Sequence, residues 1–123
     1  MEKTFSIKIL KNCSITDDQI KDLLSTAFEG GISYWCQEVN ILVNPSNSML
    51  TADVLINGGV LEFVDAEDDT ERWNMSLDQF LLGVKFEIEN NDRNSVDELM
   101  DDYDADVADN IIQYALFGKL VFC

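Results

Sequence analysis

Carboxylates give this chain most of its capacity for chemistry. They are densest in DDYDADVADN at 101–110, where five of ten residues are aspartate. A calcium-binding loop needs oxygen ligands at its first, third and fifth positions, a glycine at the sixth and a glutamate at the twelfth. Counted from Asp102, the oxygen ligands are present, but Val107 and Gln113 stand at the sixth and twelfth positions. We therefore predict no metal site, and weak divalent-cation binding by this cluster stays open.

The composition also argues against catalysis. The chain contains no histidine, the commonest general base and a major zinc ligand. Neither glycine-rich phosphate-binding motif is present. Glu62 with Asp65, or Asp65 with Glu67, could act as a carboxylate pair, but 24 acidic residues produce such pairs by chance. We predict a protein that is not an enzyme, with no catalytic residue and no cofactor.

The charge is strongly negative and unevenly distributed. The net charge is −16, and residues 62–109 carry 17 acidic residues against three basic ones, which gives this segment −14. Such a surface repels nucleic acid and anionic lipid and attracts basic proteins. We therefore predict no direct nucleic-acid binding and no membrane contact. The predicted partner is a protein with a basic nucleic-acid-binding surface, and a homo-oligomer is a further alternative.

Only some of the acidic residues have a local explanation. Asp104, Asp106 and Asp109 fall at the predicted start of a helix, where negative charge offsets the helix dipole. No such explanation covers the acids at 97–102 or those in DAEDDTE at 65–71. These two segments would mimic nucleic acid if they shared one face. Aromatic residues are favoured as interface anchors, and Tyr103 is expected to be exposed. The predicted partner-binding residues are Asp65, Glu67, Asp68, Asp69, Glu71, Asp97, Glu98, Asp101, Asp102 and Tyr103.

The elements that must position these residues form one α+β domain over 1–123. A small, mainly antiparallel sheet is predicted to pack against three or four helices. Capping boxes at Thr16 with Gln19 and at Ser76 with Gln79 mark two helix starts. Alternating apolar residues predict strands in KTFSIKIL and VLEFV, and ERWNMS could pair with VLEFV across DAEDDT. Residues 39–43 also alternate like a strand, but the segment ISYWCQEVNILV stays ambiguous, because its Tyr34 and Trp35 could finish a helical turn or anchor the core.

Further helix signals come from turn residues and glycines. Asp104 is the predicted N-cap of the last helix, which Gly118 ends, and SMLTADVLINGG reads as a short helix with Leu50 inward. Gly30 and Gly31 are expected to end a helix in the left-handed conformation. Gly83 lies inside a predicted helix and indicates a close packing contact.

The cysteine content and the N-terminal sequence favour a reducing cytosol. Cys13, Cys36 and Cys123 are too few and too scattered for a disulfide framework. MEKTFSIKIL lacks the basic start and long apolar run of a signal peptide. We expect a soluble cytoplasmic protein.

Four segments resemble a group of small bacteriophage and prophage proteins, especially from Firmicutes. They are TAFEGGISYWC at 26–36, INGGVLEFVDAED at 56–68, Trp73 followed by SLDQFLLGVKF at 76–86, and DADVADNIIQYALFG at 104–118. The chain departs from the pattern at Lys119, where an acidic residue is frequent, and at Cys123, where glycine is common. The resemblance implies a phage context and makes Asp104 and Asp109 part of the shared fold. It supplies no catalytic residue.

Together these features predict a counter-defence protein of the anti-CRISPR kind in the host cytoplasm. It would bind a host protein with a basic nucleic-acid-binding surface, part of a nucleic-acid-processing defence complex, through an acidic, nucleic-acid-mimicking face. One alternative is a sponge that sequesters a nucleotide signal of host immunity, which would need a pocket of cationic and aromatic residues. Another is a non-catalytic structural or assembly protein of the phage, which would form a stable homo-oligomer.

Overall fold

The computed structural model describes residues 3–8 and 12–123. The α+β class is confirmed, and the described residues form five α-helices and two small antiparallel sheets. The elements are β1 (Thr4–Lys8), β2 (Asn12–Thr16), α1 (Asp17–Thr26), a π-helical turn (Ala27–Gly31), β3 (Cys36–Val43), α2 (Thr51–Ile56), β4 (Val60–Asp65), β5 (Arg72–Met75), α3 (Leu77–Asn90), α4 (Val96–Asp102) and α5 (Ala105–Phe117).

The N-terminal hairpin was only half predicted. Strand β1 is confirmed, and Ile9, which was expected to continue it, lies outside the described residues. Strand β2 was missed because its sequence, NCSIT, contains only one large apolar side chain, Ile15. Phe5 lies opposite Ile15 in the antiparallel register, and Ile7 and Ile15 are buried. The hairpin therefore covers one side of the core.

The second sheet has the order β3-β4-β5, and all its strands are antiparallel. The hairpin predicted across DAEDDT is confirmed, with Val64 opposite Arg72 and Leu61 opposite Met75. Leu61 and Phe63 on the central strand are fully buried. The acidic residues 65–71 therefore lie at one end of this hairpin.

Both predicted capping boxes are present. Thr16 Oγ1 accepts a hydrogen bond from the Gln19 N–H at 3.1 Å, and Gln19 Oε1 accepts from the Thr16 N–H at 2.9 Å. Ser76 and Gln79 form the same pair of bonds at the start of α3. Each box satisfies two backbone N–H groups that a helix start would otherwise leave unpaired.

Helices α3 and α5 pack against each other at the predicted glycine contact. A Cβ atom on Gly83 would collide with the backbone oxygen of Ile111 and lie 3.0 Å from the Ala115 Cβ. Phe80 and Val84 on the same helix are fully buried. The absence of a side chain at this position therefore sets how closely the two helices approach.

Two expectations about helix ends were wrong. Gly30 and Gly31 are not left-handed and belong to the π-helical turn, where a Cβ on Gly31 would lie 2.9 Å from the Ala105 backbone oxygen. Close approach to the start of α5 explains this glycine better than a helix cap. Leu50 is 67% exposed instead of inward, because α2 begins one residue later with its buried face at Val54 and Leu55. In the described part of the chain, no helix is long and apolar enough to cross a bilayer.

Replacing Gly83 with alanine is expected to destabilise the protein by about 1–3 kcal/mol, because the added methyl group forces α3 and α5 apart. Urea unfolding at equilibrium measures this change. Leu82→Ala is the control, since Leu82 is exposed on the same helix and its loss should cost no more than about 0.5 kcal/mol. Equal effects of the two substitutions would contradict the packing account.

Candidate functional site

The acidic turn, residues 65–71, is held in place by its own aspartates. Asp65 Oδ1 accepts hydrogen bonds from the backbone N–H groups of Glu67 at 2.7 Å and Asp68 at 3.2 Å. Asp68 Oδ1 accepts from the Thr70 hydroxyl at 2.6 Å and from its N–H at 3.0 Å. These bonds from Thr70 lower the pKa of Asp68 below its usual range. Two predicted partner-binding acids therefore fix the backbone of the turn.

The other acidic side chains of the turn point into solvent. Glu67, Asp69 and Glu71 are exposed. Their carboxylates have no cation or hydrogen-bond partner among the residues that the structure describes. Arg72, which follows the turn, directs its guanidinium to the Glu62 carboxylate at 2.9 Å. The acidic turn thus presents three uncompensated charges on a fixed backbone.

The second predicted segment forms helix α4, which the sequence reasoning missed. Ser95 caps it by accepting a hydrogen bond from the Glu98 N–H at 3.2 Å, and Glu98 Oε2 accepts from the Asn94 N–H at 2.7 Å. The expectation that Asp97 and Glu98 have no local explanation is wrong, because both lie in the first turn of this helix. The S-x-x-E spacing of Ser95 and Glu98 was the available signal.

The two faces of α4 have different roles. Val96 and Leu99 are buried in the core, whereas Asp97 and Asp101 are exposed. Residues four apart lie on the same side of a helix, so these two aspartates project together. Neither has a cation partner within the described ranges. Helix α4 therefore presents a second pair of free carboxylates.

Arg93 attaches the C-terminal end of α4 to the core. Its Nη2 atom lies 3.3 Å from the Asp102 carboxylate, and its Nη1 atom forms an ion pair with Glu87. Glu87 is buried on α3, and burial raises its pKa while the hydrogen bond and charge of Arg93 oppose that rise. Asp102, predicted as a partner contact, therefore has a structural role of its own.

Tyr103 is not the exposed aromatic that was expected. It lies in the extended link between α4 and α5, where its side chain is partly buried and packs against the hydrophobic core. Tyr103 and Asp104 form a two-residue extended link, and successive side chains of an extended chain project to opposite sides, so Tyr103 turns inward while its acidic neighbours stay exposed. Its ring stabilises the junction of the two helices.

Asp109 has a different role from the one that the sequence predicts. It was attributed to the helix dipole, but it is only 6% exposed. Its carboxylate accepts hydrogen bonds from the Tyr34 hydroxyl at 2.6 Å, the Trp35 Nε1 at 2.7 Å and the Gln113 Nε2 at 2.9 Å. Two polar residues four positions apart in the buried run of α5 were the available signal. Asp109 is a structural anchor and not a surface charge.

Gln113 extends this network to the C-terminal tail. It is fully buried, and its Oε1 atom accepts hydrogen bonds from the N–H groups of Val121 and Phe122, both at 2.8 Å. The Phe122 ring then stacks on Trp35, with centroids 5.0 Å apart and planes within 2°. The C-terminal tail is therefore attached to the core at Phe122.

Trp35 connects this network to the acidic turn. Its backbone oxygen accepts a hydrogen bond from the Ala66 N–H at 2.8 Å. Its ring also meets the ring of Trp73, the second residue of β5, edge to face with centroids 6.0 Å apart. The start of the acidic turn is therefore hydrogen-bonded to the backbone of Trp35, a core residue whose side chain Asp109 holds.

The two acidic segments have different supports. The acidic turn rests on Trp35, whereas α4 contacts β2 and is held by Arg93. No hydrogen bond or ion pair joins the two segments among the residues described. That the two segments share one face stays a condition of the predicted mimicry of nucleic acid.

The described residues do not bring together a set of ligands for a metal ion. No three His, Cys, Asp or Glu side chains converge in a suitable arrangement within 3–8 and 12–123. The segment DDYDADVADN is not one loop, because Asp102 ends α4, Asp104 caps α5 and Asp106 lies in the first turn of α5. Its aspartates therefore point in different directions.

Comparison with known proteins adds no relative. No protein-family model matches the chain, and no curated protein or solved structure shows significant similarity to it. The resemblance to phage proteins accordingly stays a prediction from the motifs.

Asp109→Asn is expected to cost about 2–3 kcal/mol, because an amide brings an N–H group against donors and leaves at least one of them unsatisfied. Asp106→Asn removes the same charge from the exposed first turn of α5 and should cost less than about 1 kcal/mol. Urea unfolding compares the two variants. A smaller loss of unfolding free energy for Asp109→Asn than for Asp106→Asn would contradict a stabilising role for the buried network.

Tyr34 gives the network a distinct pH dependence. Burial of its hydroxyl, together with the hydrogen bond and charge of Asp109, raises its pKa from 10.0 to about 12. The neutral hydroxyl is favoured by folding, so this stability is complete below pH 10.0 and is lost as the pH rises towards 12. Tyr34→Phe should remove this part of the alkaline loss when the free energy of unfolding is measured across that range. An unchanged alkaline profile would refute the assignment.

Proposed function

We propose that this protein is a non-catalytic, phage-encoded counter-defence protein that acts in the host cytoplasm. Its acidic surface docks on the basic nucleic-acid-binding surface of a host defence complex and excludes nucleic acid, in the manner of an anti-CRISPR inhibitor. The observation that carries the proposal is the acidic turn, where a hydrogen-bonded backbone presents the unpaired carboxylates of Glu67, Asp69 and Glu71.

Preorganisation makes such a surface effective. A flexible acidic tail loses conformational entropy when it binds, whereas a fixed turn has already lost most of it. Asp65 and Asp68 hold the turn, and Trp35 connects it to the core. Helix α4 adds Asp97 and Asp101 on a second rigid element. The charges therefore keep a defined geometry that a basic channel could match.

Charge complementarity supports a basic partner. The segment 62–109 has a net charge of −14, and its field accelerates encounter with a basic surface in a salt-dependent way. Two of its three cations are already in ion pairs, Arg72 with Glu62 and Arg93 with Glu87 and Asp102. The negative potential is thus largely uncompensated within this segment.

The nucleotide-sponge alternative receives less support from the clefts. A groove of about 370 Å³ between α1 and α2 contains one cation, Lys21, beside the aromatic ring of Phe28. The Lys21 ammonium lies 3.5 Å from the Asp53 carboxylate, and Glu29 also lines the groove. An anionic ligand would meet a paired cation and further negative charge there.

Affinity capture from host lysate should return a basic nucleic-acid-binding protein at about 50 mM salt and lose it at about 500 mM, because salt screens surface charges. Replacing Glu67 with Gln, Asp69 with Asn and Glu71 with Gln should weaken binding of that partner by about tenfold or more at low salt, as expected for complementary charges. Binding is measured by titration with the purified partner.

The matched control neutralises three exposed acids elsewhere, Asp18, Asp22 and Glu29, with the same amide replacements. It changes the net charge equally and should weaken binding by less than about threefold, since distant charges are screened. Equal losses from both triple variants, or no basic partner at low salt, would sink the proposal.

A further inference from the structure

A cleft of about 250 Å³ is lined by residues from the start of the acidic turn and by aromatic residues around Trp35. Three aromatic residues, Tyr34, Trp35 and Phe122, and two acids, Asp65 and Glu67, line it together with Ala66 and Cys123. None of the described residues that line it is a lysine or an arginine. Aromatic rings attract cations through their electron-rich faces, and carboxylates attract them through charge. The lining is therefore complementary to an organic cation.

We propose that this cleft receives a single arginine side chain of a protein partner. A guanidinium group is planar, stacks on aromatic rings and donates paired hydrogen bonds to carboxylates, whereas an ammonium group is a compact and strongly hydrated charge. Tyr34 is 50% exposed and offers a ring for stacking. Glu67 is exposed, and its carboxylate is free to accept. A ring face and an acceptor are thus both accessible from solvent.

The walls of the cleft are fixed before any ligand binds. The Tyr34 hydroxyl donates to Asp109 at 2.6 Å, and the rings of Trp35 and Phe122 stack on each other with centroids 5.0 Å apart. Asp65 Oδ1 already accepts two N–H groups of the turn. Asp65 therefore contributes charge and shape, while Glu67 is the acceptor available to a ligand.

The protein's own arginine at this end of the sheet is committed elsewhere. Arg72 Nη1 bonds to the Glu62 carboxylate at 2.9 Å, and its Nε bonds to the Asp69 backbone oxygen at 3.0 Å. It does not line the cleft. No lysine or arginine among the described lining residues fills the cleft, so it is open to a cationic side chain from another molecule.

As the anchor of a docked partner, the cleft rests on the proposed function. A desolvated arginine in a preformed pocket is the kind of residue that dominates binding energy at an interface. The surrounding carboxylates of the acidic turn would then orient the partner around that anchor. The affinity of the cleft can nevertheless be measured without any partner.

Titration with three blocked tripeptides, Gly-Arg-Gly, Gly-Lys-Gly and Gly-citrulline-Gly, followed by heteronuclear NMR, tests the cleft directly. Salt at about 150 mM limits long-range attraction to about 8 Å. The arginine peptide should produce saturable shifts confined to residues 34–35, 65–67 and 122–123. The lysine peptide should bind more weakly, and the uncharged citrulline peptide should not bind. Diffuse shifts over all acidic surfaces, or equal binding of any two peptides, would overturn the proposal.

Glu67→Gln should weaken binding of the arginine peptide by about threefold to fivefold, as for an exposed ion pair. Glu71→Gln is the control, because Glu71 carries the same charge in the same turn but does not line the cleft; it should change affinity by less than about 1.5-fold. Equal effects would mean general charge attraction and would overturn the assignment.

The two proposals fail separately. Loss of peptide binding would remove the arginine site but leave a captured basic partner unaffected. Peptide binding without a captured partner would contradict the counter-defence function and not the cleft.

Discussion

A buried carboxylate is stable only where donors replace its lost water, and three donors surround Asp109 inside this protein. Two of them, Tyr34 and Trp35, precede β3 in the sequence, so the network joins the entry to the sheet with α5. Gln113 extends the network to the C-terminal tail, and Trp35 extends it to the acidic turn through Ala66. The positions of the aromatic core, the tail and the start of the acidic turn therefore depend on one side chain.

The acidic residues divide into those that build the surface and those that it presents. Asp65 and Asp68 hold the acidic turn, while Glu98 and Asp102 hold the two ends of α4. A surface made only of free carboxylates would repel itself and sample many shapes. Here the bonded acids fix the backbone, and the free ones project from it, namely Glu67, Asp69, Glu71, Asp97 and Asp101. The free carboxylates are held on a rigid backbone, which exposed charges that only confer solubility do not need.

Features that depend on neighbouring residues could be predicted from the sequence, and features that depend on distant ones could not. The capping boxes, the hairpin around DAEDDT and the Asp104 cap follow local rules and are confirmed. Asp109 satisfied a local rule for helix starts, but its partner Tyr34 is 75 positions away. Helix α4 was missed although its S-x-x-E signal was present, because a short helix crowded with acids resembles a solvated loop. Burial of Tyr103 depends on packing that no local pattern encodes.

We propose that a preorganised acidic surface of this protein replaces nucleic acid on a basic partner. Competition is its most direct measurement: the captured partner is titrated with this protein at increasing concentrations of a DNA or RNA duplex. Mutually exclusive binding predicts that the apparent dissociation constant rises in proportion to duplex concentration, with no species that contains all three molecules. A stable ternary complex, or an affinity independent of duplex, would contradict the account.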